Sequence, residues 1–403
     1  MRKFIYILFA ALFATSCEEE QPAVENGKLP IFNGYMQFTT DVSTRTHLAT
    51  DMKGKSFGVI GYEYSPTSTW GGAKSTTTPN TFYNQRVDCD VNNGVCTYDS
   101  QNPSQSGNNP KQWGDYRYAF FAYHPFGGAG ISLSPNTKTN TPTLTYTYGW
   151  LNTSGNISAY DSNAPIFDLM TAEAVDVSGS GSGRVALDFK HRLFALEILA
   201  NNYNENEYEY ETDSNGDFIL DEDGKKIYKL DANGEKIIKV SARQEISNLT
   251  LTLEGLNNTS MTIPLSTKDD EDDPIYTKGN VGTRTFKISD DTVMVPAFNE
   301  TTDDGRGEGV ATSISQQGST NGGYLTFIPQ AGTNEGIRGT LNWTELKYFQ
   351  GDENEVNNEF VSTIDFVPGK LYQVYINFVG DGITIALIEA GNWDNWNVTH
   401  TFE

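Results

Sequence analysis

The sequence is short of basic residues. Lys and Arg number 28 against 52 Asp and Glu, a formal net charge of −24 over 403 residues. That balance excludes nucleic-acid binding, which needs clustered cations to neutralise phosphate. It also excludes charge-driven adhesion to anionic lipid headgroups, so any membrane attachment has to come from an anchor. Histidine is almost missing: His47, His124, His191 and His400 each stand alone. His191 follows Lys190 in an apolar strand and reads as a core or edge residue with a satisfied ring. A Gly-x-Ser-x-Gly elbow, a phosphate-cradling glycine loop and a paired metal-ligand spacing are all lacking. Carboxylates are plentiful, but nothing sets two of them across an apolar pocket as glycoside hydrolysis needs. Neither catalysis nor a cofactor or metal is expected. Helical periodicity over ten residues is absent as well, and no run beyond the first twenty residues approaches the length of a membrane-spanning helix.

What is present begins at the N-terminus. Arg2 and Lys3 precede an apolar run from Phe4 to Ala14, too short to span a bilayer and suited to the core of a secretory signal. Ala14-Thr15-Ser16 before Cys17 is the small-residue pattern of a bacterial lipoprotein signal. There the Cys17 thiol carries palmitate-type acyl chains and becomes the mature N-terminus; a plain cleavable signal with an incidental cysteine is the alternative. Glu18-Glu19-Glu20 resemble a surface-export tag of anaerobic Gram-negative bacteria. The expectation is an exported protein, lipid-anchored at the outer membrane and facing outward.

Two further cysteines, Cys89 and Cys96, flank Asn92-Asn93-Gly94. That centre is a turn signal, so the flanks can pair as a hairpin, and in an oxidising compartment a disulfide is expected. The spacing fits no zinc pattern.

Tyr and Phe total 43, and Thr, Asn and Gly are abundant, a mixture that suits strands and tight turns. Residues 18–30 read as a tether. Strands are expected at Ser56–Tyr62 and Tyr116–Tyr123, with long Ser/Thr/Asn/Gly loops at 64–80 and 126–164. Ser178-Gly179-Ser180-Gly181-Ser182-Gly183 reads as a flexible linker. Beyond it come an apolar set at Leu187, Phe189, Leu193 and Leu196, then Leu249, Leu251 and Leu253, and then Leu325 and Phe327. Tyr372, Val374, Ile376 and Phe378 follow with one face expected buried and one wet, and Ile383, Ile385 and Leu387 after a turn. The reading is all-β: two antiparallel β-sandwich domains, 31–177 and 184–403, joined by 178–183.

Residues 206–240 interrupt the second domain with three similar turns, at Asp213-Ser214-Asn215-Gly216, Asp221-Glu222-Asp223-Gly224 and Asp231-Ala232-Asn233-Gly234. Calcium binding is one reading, but neither the glycine nor the distal glutamate of an EF-hand loop is in register. A protruding β-meander with Asp/Asn-Gly turns is the better fit. Asp269–Asp273 read as a solvated loop rather than a metal site. Trp393 and Trp396, directly after a well-patterned strand, read as core plugs; the other reading is a platform for stacking sugar rings.

In their order along the chain, several segments resemble the fimbrillin family, the pilins and adhesins of type V pili. They include the signal ending at Cys17, Thr44-Arg45-Thr46 after a first strand, Phe57-Gly58-Val59, and Tyr118–Tyr123. Further on come Phe167–Ala172, Phe189–Leu196, Phe327–Gln330, Pro368–Tyr372 and the closing tryptophans. The resemblance implies transthyretin-like sandwiches and a particular assembly. A trypsin-like protease would cut after an Arg or Lys, releasing the anchor and the first strand, and the vacated groove would accept a strand from another subunit, β-augmentation in physical terms. Arg45 sits where such a cut would free Tyr35, Met36 and Phe38; an ordinary loop arginine is the alternative. Family stalk subunits carry a long C-terminal donor segment, and here Val398, His400 and Phe402 alternate over only a short stretch, which points to a tip or accessory subunit. The partners so implied are other fimbrial subunits by donor-strand exchange, a surface receptor, and the outer membrane through the lipid. The rival from another class is a surface glycan-binding lipoprotein using Trp393, Trp396 and loop tyrosines; a surface hydrolase is a more distant third.

Overall fold

In a computed structural model of the chain the described residues are 37–42, 52–92, 96–98, 113–134, 141–152, 156–158, 168–179, 184–267, 274–289, 291–300, 311–314, 324–330, 336–347, 353–362 and 365–392. They are nearly all strand, with one four-residue helix, α1 (Trp70–Ala73).

The first eleven strands are β1 (Gln37–Val42), β2 (Ser56–Tyr64), β3 (Phe82–Cys89), β4 (Cys96–Tyr98), β5 (Arg117–His124), β6 (Ile131–Ser134), β7 (Thr143–Thr147), β8 (Asn156–Ser158), β9 (Met170–Ser178), β10 (Arg184–His191) and β11 (Phe194–Asn202). Seven of them form one sheet in the order β1-β10-β9-β5-β2-β3-β4, which curls until its two edges meet at the single pair Phe38–Cys96. Its interior is packed by Phe57 and Val59 of β2, Tyr118 and Phe120 of β5, and Val185, Leu187 and Phe189 of β10.

Alternation along β2 and β5 does double service. Ile60, Tyr62 and Tyr64, with Ala119, Phe121 and Tyr123, turn the other way and join a second, larger core. Two apolar faces per strand explain why these segments read as nearly continuous hydrophobic runs. Gly58 lies on that outer side of the pairing, where a Cβ would stand 2.4 Å from the ring of buried Tyr123, so only glycine fits.

The remaining strands are β12 (Glu207–Tyr208), β13 (Ile238–Val240), β14 (Gln244–Glu254), β15 (Asn258–Pro264), β16 (Ile275–Lys278), β17 (Arg284–Ser289), β18 (Val293–Val295), β19 (Thr312–Ser313), β20 (Leu325–Phe327), β21 (Ile337–Lys347), β22 (Glu353–Ser362), β23 (Lys370–Val379) and β24 (Gly382–Asn392). One sheet runs β19-β11-β23-β24 with β20 also on β11, and another runs β22-β21-β14-β17-β8 with β18 on β14. Ile198, Val374 and Ile376 of the one meet Leu249, Leu251, Phe286 and Leu341 of the other in the large core. A smaller sheet, β16-β15-β7-β6, completes the second half. Pairing is mostly antiparallel; β1–β10, β11–β23 and β8–β17 are parallel.

β9 and β10, the strands on either side of 178–183, pair in one sheet at Thr171–Lys190 and Met170–His191. The structure departs from the sequence reading in two places. First, 126–164 is not all loop. It carries β6, β7 and β8, and β7 pairs with β15 from Thr143–Pro264 to Thr147–Ser260, locking the first half into the second. Likewise 64–80 holds α1, whose Trp70 is fully buried.

Second, the expected wet face of β23 is dry. Gln373 and Tyr375 are 0 % and 3 % exposed. Their polar groups satisfy one another: Gln373 Nε2 donates to Glu197 Oε2 at 2.8 Å, and Tyr375 Oη donates to Gln373 Oε1 at 2.9 Å. Ser313 Oγ donates to Glu197 Oε1 at 2.9 Å. Burial, with Glu197 nearby, pushes the Tyr375 hydroxyl up to about 12. A hydrogen-bonded polar row can be buried at little net cost, which is why period-two polarity misreported exposure.

Candidate functional site

Among the residues singled out from sequence, Cys89 and Cys96 are described. They are opposite one another where β3 ends and β4 begins, bonded at an S–S distance of 1.99 Å. Cys17, Arg45, Trp393 and Trp396 lie outside the described residues, as do Asp269–Asp273, Val398, His400 and Phe402.

The disulfide stands beside the seam of the first sheet. There β1 runs parallel to β10, from Gln37–Arg184 to Val42–Phe189, and touches β4 only through Phe38–Cys96. The β10 residues opposite Phe38, Thr40 and Val42 are Val185, Leu187 and Phe189, all buried at 1 % exposure or less. β1 is therefore held by a full ladder on one side and a single pair on the other. It precedes every other described strand in the chain, and residues 43–51, Arg45 among them, separate it from the rest of the fold. Sequence reasoning placed a first strand here; a parallel pairing to residues 147 positions later left no local signal.

Beneath the seam, β5, β9 and β10 bring His124, Met170 and His191 into one cross-strand row. His191 Nδ1 lies 2.5 Å from Asp168 Oδ1. His124 Nδ1 lies 2.8 Å from the Ser56 carbonyl, and burial holds its ring below the usual histidine range. Both rings are structural pins, His124 at the end of β5 and His191 at the end of β10.

The second notable feature is the arm formed by residues 206–240. Its strands close a three-way hydrogen-bond ring twice: Glu211 N to Ile227 O, Ile227 N to Ile219 O and Ile219 N to Glu211 O, then the same among Glu209, Ile237 and Lys229. All three turns share one geometry. Asp213 Oδ1 accepts from Asn215 N and Asp217 N at 2.8 and 3.0 Å. Asp221 Oδ1 accepts from Asp223 N and Lys225 N, and Asp231 Oδ1 from Asn233 N and Glu235 N. Gly216, Gly224 and Gly234 follow at φ of 89°, 79° and 88°, where a side chain would be strained. The aspartates hold the turns, and among the described residues no group of three or more His, Cys, Asp or Glu is gathered as a metal would need.

Backbone N–H groups of Asn215 and Asp217 hold the Asp213 carboxyl below its ordinary range, and those of Glu235 and Asn233 do the same for Asp231. A lowered folded value means the turns are supported above the unfolded carboxylate value and lose that support as pH falls through the folded one. The arm is accordingly expected to lose amide protection below about pH 4 while the two cores keep theirs. Hydrogen exchange at pH 3 and pH 7 checks this; equal protection of residues 213–237 at both would contradict it.

The arm is rooted by Asn206, which is buried. Its N–H donates to Asn299 Oδ1 at 2.8 Å, Asn299 Nδ2 donates back to its carbonyl at 3.1 Å, and Ala242 N donates to its Oδ1 at 2.8 Å. Arg243 forks onto Glu300, whose carboxyl burial would raise but which Arg243 holds lowered overall. Along the arm runs a ladder of rings and cations. Tyr210 stacks on Tyr228 at 5.0 Å, and Tyr208 and Phe218 meet them edge-on at 5.4 and 5.8 Å. Lys226 Nζ sits 3.7 Å over Phe218, and Lys236 Nζ sits 4.3 Å over Tyr228.

Fold and site together define an all-β protein of stacked sheets, with an N-terminal strand seated at a seam and a patterned arm on the second half. The fimbrillin-like family profile matches residues 44–299, and the chain belongs to that family. A solved fimbrial protein from Bacteroides vulgatus is 15 % identical, covers 89 % of this chain and 99 % of its own, and superposes with a TM-score of 0.54. A protein proposed to act in cell adhesion, from Bacteroides ovatus, is 13 % identical, with coverage of 89 % and 97 % and a TM-score of 0.46. At such identities the likeness is one of fold. No curated protein matches.

Proposed function

We propose that this chain is a cell-surface fimbrial subunit or adhesin without catalytic activity. Acyl chains on Cys17 carry it to the outer membrane. A trypsin-like protease cuts after Arg45, β1 leaves, and a strand of another subunit takes its place between β10 and β4. The observation that carries this reading is the seam: β1 has one ladder partner and one single-residue contact, so it can depart without disturbing another pairing. Once it leaves, β10 has an unpaired edge and a row of buried apolar residues open on one side, and an incoming strand satisfies both. Family membership supports the surface location and the subunit partners. The arm at 206–240 suits a tip or accessory position better than a stalk, because a protruding element obstructs close stacking.

Limited trypsin treatment of the purified chain is the test. A new N-terminus at Thr46, loss of residues 37–42 and the appearance of oligomers are expected. A cleaved chain that retains its first strand and stays monomeric would refute strand exchange.

A further inference from the structure

We propose that the arm carries a binding groove for a short neutral oligosaccharide. The inference deepens the adhesive side of the proposed function and is independent of strand exchange. Between the arm and Asn299 lies an open groove of about 640 Å3, inside the size range of small-molecule sites and too small for a folded partner. Tyr208, Tyr210, Phe218 and Tyr228 form its aromatic part, and Glu205, Glu207 and Asn299 are among its polar groups.

A sugar ring has an apolar face of C–H groups and a rim of hydroxyls. Partly exposed tyrosine and phenylalanine rings match the first, while carboxylate and amide groups match the second, since each can engage two neighbouring hydroxyls. The rings are already ordered by their mutual packing and by Tyr208 Oη, which donates to the Asn299 carbonyl at 3.2 Å. Little conformational freedom is therefore left to lose on binding.

Charge selects the ligand further. Lys239 pairs with Glu207 at 3.5 Å, Lys229 with Glu209 at 2.9 Å, and Lys226 lies over Phe218. These pairings balance much of the charge around the groove, and the chain's −24 repels polyanions such as sulfated or sialylated glycans. A neutral saccharide fits both conditions. The sugar-stacking role considered from sequence for Trp393 and Trp396 thereby gains a different location.

The test is to probe the full chain with an array of neutral oligosaccharides of two to four hexose and N-acetylhexosamine units, with sialylated analogues and an oligolysine peptide alongside. The best saccharide is then titrated calorimetrically into wild type, Tyr210→Ala and Glu205→Ala. The second variant guards against loss of arm packing, because Glu205 is exposed. Saturable binding of a neutral glycan, weakened about tenfold by each substitution, is expected. Retention of no neutral glycan, binding by both variants as tight as wild type, or preference for sialylated glycans or oligolysine would overturn the proposal. Oligomer formation is measured on the same wild-type chain: absence of glycan binding with assembly intact sinks the groove alone, and glycan binding without assembly sinks strand exchange alone.

Discussion

A chain lacking residues 1–45 is expected to melt well below the intact protein and to form oligomers at concentrations where the intact chain is monomeric. The reason is the register of β1. Six residues pair with β10, and their removal leaves one edge of that strand without protein partners. With roughly six backbone hydrogen bonds at about 0.5–1.5 kcal/mol net each, the loss is about 3–9 kcal/mol. The buried row Val185, Leu187 and Phe189 adds to it by gaining access to water. A synthetic peptide spanning residues 31–45, added in excess, is expected to restore most of the melting temperature and suppress the oligomers, by mass action on the same groove. Differential scanning calorimetry with and without the peptide measures both. A shortened chain that melts with the intact one would mean that β1 is dispensable to the fold.

The second large effect is expected at Trp70. Four residues of helix exist to deliver this one side chain, since α1 presents little else to the core. The ring lies 4.7 Å from Tyr62, 5.6 Å from Tyr64 and 5.7 Å from Phe121, centroid to centroid, and is fully buried. Its Nε1–H donates to the Ser266 carbonyl at 2.9 Å, and its backbone N–H donates to Asp176 Oδ1 at 2.8 Å. Tyr62 Oη donates to the Leu265 carbonyl beside it at 3.2 Å. The residue thus fastens the curled sheet to the chain that follows β15. Trp70→Ala is expected to cost about 3–5 kcal/mol, the range for emptying a buried aromatic site. Trp70→Phe keeps much of the packing, loses the bond to Ser266, and is expected to cost distinctly less. Equilibrium urea unfolding separates the two variants. A Trp70→Ala midpoint equal to wild type would show that the halves do not depend on this contact.

How much of this was legible in the sequence depends on the range of the interaction. Alternation at Leu249, Leu251 and Leu253 marked a strand because its cause is local: one pleat face meets a core. The three aspartates and glycines of the arm were legible for the same reason, each turn being closed by groups within four residues. Failures came where the cause is distant. Thr143–Thr147 is a short run amid turn-forming residues, and only Ser260–Pro264, more than a hundred residues later, makes it a strand. Gln373 reads as a wet position, yet Glu197 and Tyr375 make it a dry one. The ring ladder of the arm had a visible trace in Tyr208, Tyr210, Phe218 and Tyr228, but their convergence follows from the closed three-way hydrogen bonding, which no spacing rule announces.

Hydrogen exchange at the amides of Val185–Phe189 tests the central claim most directly, read in three states: the intact chain, the chain freed of residues 1–45 and held dilute, and the same chain after assembly. Protection in the first, its loss in the second and its return in the third is the predicted sequence. Unchanged protection after β1 is removed, or protection that is lost and never regained in the oligomer, would contradict it.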